Sequence, residues 1–163
     1  MASTFSASLK LAATTTETIS GDDLTNSATA IHDGYDTSVN LTSSTTPDLT
    51  KTSYQTVTLS SGSATIDMTS LSLNGATVNL NALKPRWVLF NNPSTNSNNI
   101  TIAKGASNGY DGLGASFSIT LEPNMSVIVH FKAQGNAVSG SNKTLDVTGT
   151  GTETLEVSFG AGT

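Results

Sequence analysis

The sequence predicts an all-β protein, an antiparallel β-sandwich of about eight to ten strands, with a jelly roll as the expected arrangement. Three observations predict it. Charged residues make up only 12% of the chain and hydrophobic residues 36%, and Ser, Thr, Asn and Gly take the place of the missing charge. Thr, Val and Ile favour strands while Gly, Asn and Ser favour turns, and a net charge of −5 over 163 residues is not the charge excess of a disordered chain. Second, apolar and polar residues alternate at period two through most of the chain. Third, turn signals recur about every 10–15 residues, the rhythm of a sandwich.

Taken in order, Phe5, Ala7, Leu9 and Leu11 alternate with Ser and Lys and predict a first strand, and Thr14–Ile19 a weaker second one. Residues 1–20 are set apart as an N-terminal arm or first strand, and residues 21–163 as a single β-sandwich domain. Strand-like pieces at 27–32 and 37–42 are separated by HDGYD, and SSTTPD follows as a loop. Gln55, Val57 and Leu59 share one face of the next strand before SSGS turns the chain into TIDMT. The short apolar spacings of Leu71, Leu73, Val78, Leu80 and Leu83 make residues 70–84 the one place where a helical turn is expected.

From Arg86 onward the pattern is cleaner. RWVLFN is apolar on both faces, as a buried central strand would be, and NNPSTNSNN is a loop. ITIA, SFSITL and SVIVHFK are strands, divided by the glycine-rich GASNGYDGLG and by the EPN turn, and KTLDVTG and ETLEVSFG close the chain.

TIDMT, TLDVT and TLEVS spell one word three times. Each places Ile66 and Met68, Leu145 and Val147, or Leu155 and Val157 on one face, and Asp67, Asp146 or Glu156 among Thr on the other. The offsets follow no fixed period, so no solenoid is implied. A hairpin of the last two words centred on Gly151 would set Asp146 opposite Glu156, an unfavourable like-charge pair. That register is not expected, and the alternative in a jelly roll is that the two strands lie in opposite sheets, with GTGTE crossing between them. The three acids are expected on the solvated face, where they keep the outer surface soluble and unstacked.

Seven basic residues are scattered (Lys10, Lys51, Lys84, Arg86, Lys104, Lys132, Lys143), so no cluster is present to neutralise phosphates and no nucleic-acid partner is expected. Cysteine is absent, which removes disulfides, thiolate metal sites and Cys nucleophiles. The start MASTFSASLKLAATTT lacks the basic-then-apolar order of a secretory signal, and no run of 18 apolar residues implies a membrane span.

No catalytic, cofactor-binding or metal-binding residue is assigned, and no cofactor is expected. HDGYD with Asp22 and Asp23 upstream gathers carboxylates and His32, but the spacing fits no calcium loop and Asp and Gly are ordinary turn formers. GASNGYDGLG lacks the Gly-Lys-Ser/Thr ending of a phosphate loop and is expected as a flexible surface loop, with Tyr110 an exposed contact. His130 shares a strand face with Ile128 and Lys132, and no Ser elbow or metal motif accompanies it. The sequons at Asn40, Asn99, Asn124 and Asn142 are no more than chance supplies in a chain this rich in Asn, Ser and Thr. Trp87, in the buried-looking strand, is expected in the core rather than as a sugar platform.

RWVLFNNPSTNSNNITIAKGASNGYDGLGASFSITLEPNMSVIVHF and KTLDVTGTGTETLEVSFG, which span about residues 86–163, resemble small structural proteins of tailed bacteriophages. In those a strand ending in Asn-Pro-Ser leads to an Ile-Thr-Ile strand, a Gly/Asn loop, a Leu-x-Pro-Gly turn and a Thr/Gly-rich terminal strand pair. SSGSATIDMTSL is similar to their N-terminal words. Asn124 stands where the family's turn has Gly, a position that wants a left-handed residue. The resemblance implies a jelly-roll virion protein, a capsid decoration or cement protein. Its implied partners are the major capsid protein and copies of itself, as a homotrimer. It would be made in the host cytoplasm and placed on the capsid surface. The arm would dock on the shell or on sister subunits. Two other classes remain open: an extracellular filament or surface-layer subunit, which needs an unpaired N-terminal strand to donate, and a glycan- or receptor-binding module, which needs Tyr35, Tyr54 and Tyr110 to cluster.

Overall fold

The computed structural model describes residues 5–19, 28–131 and 136–163, with the side chains of residues 11–37 outside the description. Among the described residues every regular element is a strand: β1 (Ser6–Ile19), β2 (Ala28–Thr42), β3 (Lys51–Thr58), β4 (Ser63–Asp67), β5 (Leu71–Leu73), β6 (Ala76–Val78), β7 (Lys84–Asn92), β8 (Ile100–Lys104), β9 (Ser118–Leu121), β10 (Met125–His130), β11 (Thr144–Thr148) and β12 (Thr154–Gly162). They form a six-stranded sheet in the order β10-β7-β12-β3-β5-β6, a four-stranded sheet β4-β11-β8-β9, and a two-stranded sheet of β1 and β2. The chain is an all-β sandwich, as the composition and alternation predict.

The two larger sheets enclose one core. Ile66 from β4 and Met68 just after it, Ile100 and Ile102 from β8, Leu121 from β9, and Leu145 and Val147 from β11 meet Val88 and Phe90 from β7 and Leu155, Val157 and Phe159 from β12. Phe90 and Phe159 meet edge to face at 6.4 Å, a favoured arrangement for an aromatic pair. All six apolar residues of the repeated word are buried. The last two words do lie in opposite sheets: TLDVT pairs with TIDMT in register Leu145↔Ile66, while TLEVS runs between β3 and β7. If β5 and β6 are set aside and the remaining eight sandwich strands are renumbered from the N-terminus, one sheet reads 6-3-8-1 and the other 2-7-4-5. All six neighbour pairs within those orders are antiparallel; β3 and β5 meet in parallel through the Tyr54↔Leu73 bridge.

Residues 70–84 contain no helical turn. Leu71–Leu73 and Ala76–Val78 form a small hairpin whose tip is Asn74 at φ 51° and Gly75 at φ 83°. Two consecutive positive φ values are what a two-residue hairpin turn demands, and Asn-Gly is the pair that supplies them at least cost. The same physics holds at the EPN turn, where Asn124 adopts φ 65°, the left-handed conformation expected of it.

The N-terminal region departs most from expectation. Residues 6–19 are one strand rather than two, and residues 28–42 are also one strand, running straight through HDGYD. The register passes from Ala13↔Tyr35 to Thr14↔Asp33. Gly34 is thus the extra residue of a β-bulge, and the turn-forming composition of HDGYD is spent on that irregularity instead of a loop. The result is a long antiparallel ribbon. The division after residue 20 falls within its connection.

Candidate functional site

The outer face of the six-stranded sheet can be read from register alone. Across β10, β7, β12 and β3, one row is His130, Trp87, Gly160 and Thr52; the next is Ile128, Leu89, Ser158 and Tyr54; the third is Ser126, Asn91, Glu156 and Thr56. The first two rows carry a large apolar side chain at their β7 position. RWVLFN is therefore apolar on both faces for two reasons: Val88 and Phe90 fill the sandwich, while Trp87 and Leu89 face away from it.

The foot of the ribbon covers that second apolar face. Phe5, Ala7 and Leu9 of the β1 side and Val39 and Leu41 of β2 pack with Leu49, Trp87 and Leu89 into a small separate cluster. Ser6, Ser8 and Lys10, on the alternate face, are exposed. Trp87 is thus buried, as expected, but under the ribbon instead of between the sheets. Gly160 makes the fit possible: a Cβ there would lie 2.2 Å from Trp87 Nε1, so only glycine lets the indole lie flat on the strand.

The cover is incomplete. At the two ends of the second row, Ile128 remains 40% and Tyr54 50% exposed. On the Tyr54 side, a groove of about 330 Å³ runs between Phe5 and the β3–β5–β6 end of the sheet, lined by Thr50, Lys51, Thr52, Leu73, Thr77 and Val78.

A polar knot fastens the segment below the ribbon. The buried Arg86 guanidinium donates to the Asp48 carbonyl at 3.0 Å, to Asp48 Oδ1 at 3.2 Å and to the Thr163 carbonyl. Thr163 returns its N–H and hydroxyl to the Asp48 carboxylate. Burial alone would raise the Asp48 pKa, but the hydrogen bonds from Arg86 and Thr163 outweigh it and hold the carboxyl below its ordinary value. A cavity of about 610 Å³ opens beside this knot between Thr45, Pro47, Lys84 and Arg86. Nε and Nη2 of Arg86 are committed to Asp48 and Thr163, so the arrangement is a brace.

The three acids of the repeated word are half-buried hydrogen-bond acceptors, a correction to the expectation of a plain solvated face. Asp67 Oδ2 takes the Lys143 ammonium at 2.6 Å and Asp67 Oδ1 the Thr69 hydroxyl and N–H. Asp146 accepts from Thr65 and from the Ala106 N–H, and Glu156 from Asn91. None of these partners is another acid. Each acid ties its strand to a neighbouring strand or loop.

Tyr110 also reverses its expected role. It is 1% exposed, and its hydroxyl donates to the Asn136 carbonyl at 2.8 Å. Burial pushes its phenol well above the ordinary tyrosine value. GASNGYDGLG is accordingly not a free flexible loop. Gly105 and Tyr110 N–H both donate to the Thr144 carbonyl, and Lys143 and Thr144 N–H both donate to the Asn108 carbonyl. The hydrophobic and sheet signals in the sequence do not mark this tyrosine; its inward course is set by glycines at 105, 109 and 112 that leave no room for a Cβ.

The remaining candidates stay apart. His130 is exposed on edge strand β10, on the face of Ile128, as the alternation predicts; Lys132 lies outside the described residues. Asp22 and Asp23 also lie outside them, as do the side chains of HDGYD, and no group of three or more potential metal ligands occurs among the described residues. Asn40, Asn99 and Asn124 are exposed, while Asn142 is engaged with Asp111 and Ala137. No helix among the described residues is long and apolar enough to cross a membrane. No protein-family model matches the chain, and no curated protein or solved structure matches it significantly.

Proposed function

We propose that the protein is a non-enzymatic virion structural protein with a jelly-roll body, a capsid decoration or cement protein that stabilises a shell through oligomeric contacts. The observation that carries this is the second apolar surface: a rigid sandwich bears a long ribbon whose foot leaves Tyr54 and Ile128 exposed at its margins. An interaction protein needs an apolar patch of this kind, and a monomer working alone gains nothing from it. The strand orders 6-3-8-1 and 2-7-4-5 support the jelly roll, being those in which successive strands wind between two sheets. The major capsid protein and two further copies of the chain, in a homotrimer, are the partners, and the capsid surface is the location.

The strand-donation filament has less support, because β1 is paired with β2 along its whole length, and the described residues include no unpaired N-terminal strand. The glycan module has less as well, because Tyr110 is in the core while Tyr54 is on the outer face. Immunogold labelling of particles with an antibody to the purified protein tests the proposal. Label distributed over particle heads is the expected result; label on filaments, or no labelled particles, would refute it.

A further inference from the structure

The two large sheets end in four edge strands, and these are not equally guarded. β6, β9 and β4 have three, four and five residues, whereas β10 has six, Met125–His130. Native edges are commonly blunted by brevity, Pro, Lys or a bulge. β10 contains no Pro or Lys, and its register with β7 runs without a shift from Met125↔Asn92 to His130↔Trp87. Met125 and Ile128 are, with Tyr54, the exposed large apolar residues among those described. The strand also carries no carboxylate, although the chain has a net charge of −5.

Register fixes which backbone groups of β10 are free. The Phe131 N–H donates to the Arg86 carbonyl at 2.8 Å, and bonded and unbonded positions alternate along an antiparallel pair. Val129, Val127 and Met125 therefore also turn their N–H and C=O toward β7. His130, Ile128 and Ser126 turn theirs away from the sheet, and no other described strand or loop takes them up.

We propose that β10 pairs antiparallel with β10 of a second copy of this chain, on a two-fold axis through Ile128. In that register Ile128 faces Ile128 of the second copy, and Ser126 faces His130 in both directions. Each of these pairs exchanges two hydrogen bonds, so every outward N–H and C=O of both strands is used. Centring the axis on Ser126 or His130 would carry part of the pairing beyond the strand. The occupant is a copy because the edge is complementary to itself: exposed isoleucine meets exposed isoleucine, and no two charges of like sign are opposed. Area sets the strength. Six residues span about 20 Å and a sheet edge is about 10 Å thick, so the pair buries roughly 400 Å² counting both sides. That is about a third of what a stable interface needs, so the contact is weak alone and gains by repetition. A two-fold contact is distinct from the three-fold contacts of the proposed homotrimer, and would join neighbouring trimers edge to edge over a shell. That placement rests on the proposed function; the pairing itself is tested in solution, without shells.

The absence of native cysteine permits a test by disulfide trapping. Residues that exchange hydrogen bonds across a strand pair lie about 5.5 Å apart at Cα, within disulfide reach. Ile128→Cys, Ser126→Cys and His130→Cys are each oxidised at about 100 µM. Ile128→Cys should form intermolecular disulfides about tenfold faster than either of the other two alone. An equal mixture of Ser126→Cys and His130→Cys should match Ile128→Cys, because those positions face each other across the axis. Adding Ile128→Pro to both members of the mixture removes the central outward N–H and leaves the bonds to β7. It should return the mixture to the slow rate while far-ultraviolet circular dichroism still shows a folded sandwich. Equal rates for the three single variants, a mixture no faster than its members, or a mixture rate untouched by Ile128→Pro would each overturn the pairing. The expected pattern in chains that are otherwise monomeric by light scattering would uphold the edge contact and refute the homotrimer.

Discussion

The ribbon foot and the sandwich core are separate apolar clusters, and Leu41→Ala tests that separation. Leu41 is buried between Leu49 and Trp87. Truncating a buried leucine to alanine costs about 2–5 kcal/mol. The attachment has little to spare: one buried leucine and four half-buried residues (Phe5, Ala7, Leu9, Val39) amount to about 5 kcal/mol of apolar burial before ordering costs. The substitution should therefore release the foot without unfolding the body. Trp87 is the only tryptophan in the chain, so its fluorescence reports the sheet face that the foot covers. In Leu41→Ala the emission should shift to the red, and acrylamide should quench it more readily. The urea midpoint followed by near-ultraviolet circular dichroism of the tyrosine-bearing body should move far less than the midpoint followed by Trp87. Coincident loss of both signals at one lowered midpoint would show that ribbon and sandwich are one cooperative unit and refute the reasoning.

Other outcomes follow from the same geometry. Gly160→Ala should displace the indole, at a cost of about 1–3 kcal/mol for overpacking, and shift Trp87 emission as Leu41→Ala does. Tyr110→Phe should cost about 1 kcal/mol for the lost bond to Asn136, whereas Tyr110→Ala should cost about 3–5 kcal/mol; hydrogen exchange should speed up first at residues 105–112. Acid should destabilise the fold through Asp48 and Asp67. At both, burial raises the pKa but hydrogen bonds outweigh it, from Arg86 and Thr163 at Asp48 and from Lys143 and Thr69 at Asp67, so both folded-state values are lowered. Their contribution is then full above the unfolded carboxyl value of about 4 and is lost as pH falls through the lower folded values. Urea midpoints should hold from pH 7 to about 5 and drop below about 4, and Arg86→Met together with Lys143→Met should flatten that drop.

Local pattern made the sandwich legible. The apolar faces of TIDMT, TLDVT and TLEVS follow from period two, and the unfavourable pairing of Asp146 with Glu156 argued against a hairpin of the last two words. Asn124 announced a left-handed turn through its chemistry. Asn74-Gly75 carried an equally clear hairpin signal, which the apolar spacing from Leu71 to Leu83 masked. HDGYD misled because a bulge and a turn use the same residues, and only the partner strand decides which one forms. The placement of Tyr110 and the foot cluster depends on contacts between segments far apart in sequence, such as Leu41 with Trp87, and no local period encodes those.

Adding the purified protein to undecorated shells and measuring bound copies by sedimentation is the most direct measurement of the proposed role. Saturable binding, at a fixed number of copies per shell and with a raised temperature of shell rupture, is the predicted result. Shells that sediment without the protein at every concentration, or that rupture at an unchanged temperature when saturated, would contradict it.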